Sequence, residues 1–216
     1  MPSSRTSLAR QVRAYLETHP PVGDALASGL ANHSAVARHI ARELKLNSFG
    51  AILAACRRYP VRPDPDHRED GIRRVLHRSR VEVRTRVAAI TVRPGVDVLQ
   101  SVGPLVEQLL RENALCRVIQ VSQGTVIVVS EDAIPRFTRK LRDAQVVRIR
   151  RALAEVAVTS PESIEGTPGL LSRLAALLSA QGINIVEAMS CYTDTIFVLH
   201  RDDLTAAMGV LSQAVD

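Results

Sequence analysis

The sequence predicts an α+β protein, in which an N-terminal all-α, helix-turn-helix-like domain precedes two ferredoxin-like βαββαβ units. Three observations carry this prediction. Residues 1–60 show helical periodicity, a proline-rich stretch follows them, and the remainder repeats one order of strands and helices. Thr125–Asp132 and Thr195–Asp203 correspond at an offset of about 70 residues, the length of a whole small domain.

The predicted domain boundaries follow these changes in pattern. They are 1–60 for the helical domain, 61–80 for a proline-rich linker with a short basic helix, 81–151 for the first unit and 152–216 for the second. Residues 1–80 carry 14 Lys and Arg against 7 Asp and Glu, whereas 81–216 carry 14 against 15. This asymmetry favours an anionic partner for the basic half, although a solvated arginine-rich surface would give the same totals.

Four helices are predicted in the N-terminal domain, at about 6–17, from 22, at 34–44 and at 47–59. His19-Pro20-Pro21 ends the first helix, because proline disfavours helical backbone before it. Ser34 is the predicted N-cap of the third helix, after a turn at 32–34 that contains no glycine. The side chains predicted to face inward at the crossing of the second and third helices are Leu26, Ala27, Leu30, Ala37 and Ile40.

The third helix is the predicted DNA-reading helix. Arg38, Arg42 and Lys45 follow one another at i, i+4 and i+7, which places three positive charges on one face. Ser34 and His39, near the start of the helix, complete the predicted DNA contacts. The open alternative is a solvated basic face on an ordinary helical domain.

Several classes of protein are not predicted. The six histidines are scattered without the spacing of metal ligands, and no cofactor motif is present, so neither a metal nor a cofactor is expected. No phosphate loop, dinucleotide-binding or hydrolase motif occurs, and lysine stands only at positions 45 and 140. No catalytic residue is therefore assigned, and the protein is predicted not to be an enzyme.

Localisation follows from the same kind of evidence. No apolar window is long enough for a membrane span, and the N-terminus has no apolar leader, so a cytoplasmic protein without membrane contact is expected. Cys56, Cys116 and Cys191 stand in apolar surroundings and are predicted to be buried, reduced thiols. With 3% aromatic residues and no Trp, base stacking on RNA is disfavoured.

The repeated half is predicted to form antiparallel sheets with helices on one face. The helices begin at Pro94-Gly95, Glu131, Pro168-Gly169 and Asp202, and carry apolar stripes. The second copy lacks a fourth strand, whereas the first has one at 145–150. Because 81–92 is long for one strand, we expect 81–84 to complete the sheet of the second unit. Unpaired sheet edges also favour a homodimer.

The second copy resembles an ACT domain, the small regulatory module of amino-acid-metabolic enzymes, and the pair is most similar to the tandem ACT units of aspartokinases. The matching segments of the second copy are Gly166-Thr-Pro-Gly169, Gln181-Gly-Ile-Asn-Ile185 and Cys191 to Leu199. The first copy matches less well, because Asn113-Ala-Leu115 stands where the second has Gly-Ile-Asn. The N-terminal part also resembles archaeal ACT-containing proteins of unassigned function.

The resemblance implies an amino-acid site in the second copy. Its glycines permit close approach of backbone to a ligand, and the start of the helix at 168–180 offers free N–H donors to an α-carboxylate. The implied binding residues are Glu165, Gly166, Thr167, Pro168, Gly169, Asn184, Ile185 and Asp194. A helix start with good capping would show the same sequence without any ligand.

Two functions therefore compete. The first is a DNA-binding transcriptional regulator whose ACT pair binds a small amino acid and mediates dimerisation. The second is a regulatory subunit or adaptor of an amino-acid-metabolic enzyme that does not bind DNA.

Overall fold

The computed structural model describes residues 7–60 and 65–216, and the chain divides into two compact units, Met1–Arg68 and Glu69–Asp216. The predicted helix start at residue 6 and the linker at 61–64 lie outside the described residues. Within the described part of the first unit, the helices are α1 (Leu8–Thr18), α2 (Pro20–Ala27), α3 (His33–Glu43) and α4 (Phe49–Arg57). No helix among the described residues of the chain is long and apolar enough to cross a membrane.

The turn between α2 and α3 differs from the prediction. Asn32, and not Ser34, caps α3: its Oδ1 accepts hydrogen bonds from the backbone N–H groups of Ser34 at 2.8 Å and Ala35 at 3.3 Å. The turn also contains a glycine, Gly29, at φ +74°. This left-handed residue redirects the chain after α2, so that Leu30 is 86% exposed and does not face inward as predicted.

The core of the first unit holds the other predicted inward residues. Ala37 and Ile40 of α3 are fully buried, and Leu26 and Ala27 of α2 nearly so. α1 and α4 close this core with Val12, Leu16, Ile52 and Cys56. Cys56 is therefore buried, as predicted.

The second unit is one six-stranded antiparallel sheet in the order β2-β3-β1-β4-β6-β5. Its strands are β1 (Arg80–Val92), β2 (Cys116–Val121), β3 (Gly124–Ser130), β4 (Val146–Thr159), β5 (Ile185–Cys191) and β6 (Asp194–His200). Its helices are α5 (Pro65–Leu76), which starts before the unit boundary, α6 (Val96–Arg111), α7 (Ile134–Thr138), α8 (Leu170–Ala180) and α9 (Leu204–Val215).

The two central strands, β1 and β4, are each shared between the repeats. Arg80–Arg84 pairs with Glu155–Thr159 of the second repeat. This pairing confirms the prediction that 81–84 completes the sheet of the second repeat. The strand predicted at 145–150 is the first half of β4, which continues without a break to Thr159 and is 14 residues long. Each strand bends where it passes from one repeat to the other, at Arg86 (φ 58°) and Ala152 (φ 54°). The backbone N–H of Ala152 is held there by Glu131 Oε1 at 2.7 Å.

One face of the sheet carries the helices. In the first repeat, α6 and α7 pack on Ile90, Val92, Ile127 and Val129. In the second, α5, α8 and α9 pack on Val156, Val158, Phe197 and Leu199. These clusters bury most of the apolar stripes predicted for the helices, but Val106 and Leu177 are half-buried and Leu171 is exposed.

The opposite face of the sheet is covered by the sheet itself. Its buried cluster contains Val87, Val128, Leu153 and Val198, which come from four strands, together with Leu115 just before β2. No helical residue contributes to this cluster among the described residues, yet those four valine and leucine side chains are fully buried. A flat sheet would leave them in water, so the sheet curls and its two halves face each other.

A buried charge lies inside this curl. Glu155 of β4 is 1% exposed, and its Oε1 lies 3.2 Å from Arg117 NH2 of β2 and 3.7 Å from Arg84 Nε of β1. A second acidic residue occupies the corresponding place at the β5 edge of the sheet. It is Glu187 of β5, which lies near enough to Arg150 and Arg148 of β4 to interact with both charges. Burial raises the pKa of Glu187 against the opposing effect of these two arginines. Each edge strand is thus linked by charge to the half of β4 that belongs to the other repeat.

Other boundaries shift slightly from the prediction. α8 begins at Leu170 instead of Pro168, because Pro168 and Gly169 form a turn. The helices predicted from Glu131 and Asp202 start as short 3₁₀ turns, and the α-helices follow at Ile134 and Leu204. Cys116 is buried as predicted, but Cys191 is exposed at the end of an edge strand.

The Arg117–Glu155 contact should be measurable as stability. In Arg117→Met, Glu155 keeps only the more distant Arg84, and we expect the free energy of unfolding to fall by about 1–3 kcal/mol. Arg111→Met is the matched control, because its partner Glu107 is exposed and such pairs contribute at most about 1 kcal/mol. Urea unfolding measures both. Equal losses in the two variants would show that the contact does not hold the curl together.

Candidate functional site

The predicted amino-acid corner is built around the start of α8. Gly169 precedes the helix at φ +96°, a left-handed conformation that favours glycine over any residue with a side chain. Gly169 has no side chain that could cap α8. The backbone N–H of Arg173 donates a hydrogen bond to Gly169 O at 2.9 Å, which forms the first turn of the helix. The N–H groups of residues 170–172 therefore have no acceptor within the helix, which is the ordinary basis of an anion site.

The neighbouring predicted residues lie on the short turn before α8. Glu165, Gly166 and Pro168 are exposed, so they border open solvent. Thr167 donates its hydroxyl hydrogen to Ser163 O at 2.7 Å, which fixes the turn. Asp194 accepts a hydrogen bond from Thr159 Oγ1 at 2.7 Å, so one of its carboxylate oxygens is already engaged.

A tyrosine and a glutamate at this corner were missed by sequence reasoning. Tyr192, in the turn between β5 and β6, donates its hydroxyl hydrogen to Glu162 Oε1. This hydrogen bond raises the pKa of Tyr192. The contact ties the β5–β6 turn to the turn before α8. The one sequence signal for Tyr192 was the segment from Cys191 to Leu199, which matches an ACT domain and contains the turn between β5 and β6.

Asn184 and Ile185 lie at the opposite end of the second repeat from Gly169. They follow α8, whose 11 residues span about 16 Å. The register agrees, since Ile185 pairs with Leu199 at one end of β6 and Cys191 with Asp194 at the other. Within one chain, the structure therefore splits the predicted ligand residues into two groups.

The equivalent corner of the first repeat is filled by its own side chains. Asp97, in the first turn of α6, accepts a hydrogen bond from Gln145 Nε2 at 2.6 Å and lies 3.5 Å from Arg142 NH2. A Cβ atom at Gly95 would come within 2.5 Å of Asp97 Oδ1. A carboxylate thus already occupies the start of this helix, in keeping with the weaker match of the first copy.

The predicted DNA contacts of α3 separate into two sets. Arg38 and Arg42 are exposed and line an open groove of about 650 Å³ together with Ala35, Ala41 and Phe49. His39 instead turns toward α1, where its Nε2 lies 3.0 Å from Tyr15 Oη. Ser34 is half-buried in the first turn, and Lys45 is exposed beyond the end of the helix at φ 51°. Phe49 was not predicted as a residue of this surface. The only sequence signal for it was its position at the start of the fourth helix.

Metal binding finds no support in the described ranges. No group of His, Cys, Asp and Glu side chains there is placed to hold a metal ion. The one buried carboxylate with an unbonded oxygen in that part of the chain, Glu155, faces arginines.

Comparison with solved structures identifies the fold of about three fifths of the chain. No model of a protein family matches the chain, and no curated protein matches it. Solved structures do match. The regulatory subunit of aspartate kinase from Thermus thermophilus, in its ligand-free form, has a TM-score of 0.51 at 17% identity, over 63% of this chain and 96% of that one.

Two further structures agree. The aspartokinase alpha and beta subunits give a TM-score of 0.51 at 16% identity, over 62% of this chain and 95% of theirs. The regulatory subunit of aspartate kinase from Thermus flavus gives 0.50 at 16%, over 63% and 97%. At such identities the likeness shows the fold alone: the matched part of the chain has the fold of aspartate kinase regulatory domains, and its helices and single curled sheet agree with the predicted α+β class.

Proposed function

We propose that this protein senses an amino acid through a pair of ACT units of ferredoxin-like topology, of which the second binds the effector. The observation that carries the proposal is a whole-unit likeness to the regulatory subunits of aspartate kinase. The strand order supports it, because the first half of the sheet has the order β2-β3-β1-β4 and the second half has the equivalent order β5-β6-β4-β1 when the shared strands are counted in both halves. A regulatory role without catalysis is part of the proposal.

The chemistry of the corner suits an α-amino acid. The donors at residues 170–172 would receive the α-carboxylate, with about 0.3–1 kcal/mol from the helix dipole and more where water is excluded. The exposed carboxylate of Glu165 and the second oxygen of Asp194 would receive the ammonium group. Thr167, Pro168 and the two glycines fix the approach of the backbone.

A second copy of the chain would complete this site. β5 is an edge strand, and its unpaired backbone groups can bind another strand. Antiparallel pairing of two β5 edges about a two-fold axis would bring Asn184 and Ile185 of one copy toward the Gly169 corner of the other, because the two groups lie at opposite ends of β5. The proposed homodimer thus reunites residues that one chain keeps apart, and effector binding would stabilise it.

The test is a thermal-shift screen of the full chain with each of the twenty proteinogenic amino acids. At 100 times its Kd, an effector stabilises the protein by about 2.7 kcal/mol, which raises the melting temperature by several degrees. Asn184→Ala should lose most of this shift. Gln181→Ala is the matched control, because it removes an exposed amide three residues away and should keep it.

Size measurement by sedimentation in the same samples checks the dimer. The proposal predicts a larger dimeric fraction when the effector is present. If no amino acid shifts the melting temperature, the corner is a capped helix start and the proposed function is wrong.

Binding of DNA by the first unit is the second part of the proposal, making the protein a transcriptional regulator. It is supported by the groove in which Arg38 and Arg42 stand beside Phe49, since guanidinium groups bind guanine and phosphate, and an apolar ring contacts thymine methyl groups. The excess of positive charge over residues 1–80 points the same way. Without DNA binding, the protein would be a regulatory subunit or adaptor of a metabolic enzyme.

Binding to random-sequence duplex DNA at several salt concentrations decides between these roles. About four phosphate contacts per protomer give a log–log slope near −3.6. Arg38→Ala/Arg42→Ala should reduce both affinity and slope. Arg57→Ala/Arg58→Ala is the control, because it removes two exposed charges at the end of α4. It should reduce the affinity and the slope less than Arg38→Ala/Arg42→Ala does. Equal losses in the two variants would favour a diffuse basic surface and the adaptor role.

A further inference from the structure

The helix α5 lies against the proposed effector corner. A Cβ atom built on Gly71 would stand 4.0 Å from Thr167 Cγ2, so the side chain of Thr167 lies about one methyl group away from the backbone of α5. Glu69 Oε1 lies 3.7 Å from Arg173 NH2 in the first turns of α8. Both contacts involve residues at or next to the predicted ligand-binding segment.

An apolar interface fixes α5 in this position. Ile72, Val75 and Leu76 are almost completely buried, in the same cluster as Leu170 and Leu174 of α8. Since protein interiors are close-packed, a displacement of the start of α8 has to be taken up by the helix packed on it. The exposed arginines Arg73 and Arg74 lie on the other side of α5.

The segment that follows α5 holds the other end of the same turn. Ser79 Oγ lies 2.8 Å from both Val75 O and Ser160 Oγ, and Ser160 N–H donates to Thr193 O at 2.9 Å. The segment 160–169 therefore lies beside α5 at Thr167, and its other end is hydrogen-bonded through Ser160 to Ser79, three residues after the end of α5. Both ends of the proposed effector loop are thus placed against α5 or the residues that directly follow it.

We propose that α5 transmits occupancy of the Gly166–Gly169 corner to the helices of residues 7–60. An effector carboxylate bound at the start of α8 would shift the turn at Thr167, and α5 would move with it. The chain then leads from α5 to α4, which ends at Arg57, through only residues 58–64. By thermodynamic linkage, the effector would change the affinity of the first unit for its own ligand by some factor, and that ligand would change the affinity for the effector by the same factor. This inference rests on the proposed amino-acid site and adds the route by which that site acts.

Hydrogen exchange of the full-length protein, followed by mass spectrometry, tests the route. The probes are the proteinogenic amino acids that raise the melting temperature in the screen, added one at a time. Amides of residues 69–76 should change their exchange rate several-fold together with those of 160–173. Protection of 160–173 with no change at 69–76 would overturn the route and leave the effector site intact. No melting shift with any amino acid would overturn both.

A matched pair of variants at Gly71 separates transmission from binding. Gly71→Ala adds a methyl group at ordinary contact distance from Thr167, so the response of residues 69–76 should persist. Gly71→Phe cannot fit that space and should move α5 off the turn, so that the amino acid still raises the melting temperature while 69–76 no longer respond. An unaltered response in Gly71→Phe would contradict the route. If Gly71→Phe does not fold, Glu69→Ala/Arg173→Ala serves instead, with at least a two-fold smaller response expected.

Discussion

The antiparallel pairing of β1 with β4 is the interaction on which the rest of the second unit depends. These strands are 13 and 14 residues long, and each gives one half to either repeat. Without the first half of β1, the second repeat would have an exposed edge at β4 instead of a complete sheet. The positive-φ bends at Arg86 and Ala152 allow the sheet to curl, so that the two inner faces bury each other. The Arg117–Glu155 contact is possible only in that curl.

Much of this fold could be predicted from the sequence, because the two repeats can be compared element by element. The segment 81–92 has more strand residues than one small sheet uses, and this excess length identified the shared strand. The bends could not be predicted. Arg86 and Ala152 are not glycines, and positive φ at such residues is imposed by tertiary packing and not by local preference. Asn32 shows a smaller failure, since two good N-caps stood close together and the pattern did not distinguish them.

For the candidate site, the sequence predicted the kind of helix start at Gly169, but it did not predict how far apart the candidate residues lie. Gly169 was identified because a Pro-Gly pair before an apolar stripe marks a helix start, and its positive φ explains why glycine stands there. Asn184 was grouped with it because the resemblance to an ACT domain implied one site, yet the length of α8 separates them. Glu155 is instructive for the opposite reason. A lone carboxylate in the strand Leu-Ala-Glu-Val-Ala had to be paired, but its partner Arg117 lies 38 residues away and is reached only through the curl.

We expect the two repeats to form one cooperative structure because they share β1 and β4. Native-state hydrogen exchange of the full chain, followed by NMR for β3 and β6, tests this most directly. Residues 126–129 belong to the first repeat alone and 196–199 to the second alone. Both sets should exchange through one global opening, with free energies of opening equal within about 0.5 kcal/mol. A second repeat that opens at clearly lower free energy, while β3 stays protected, would contradict it.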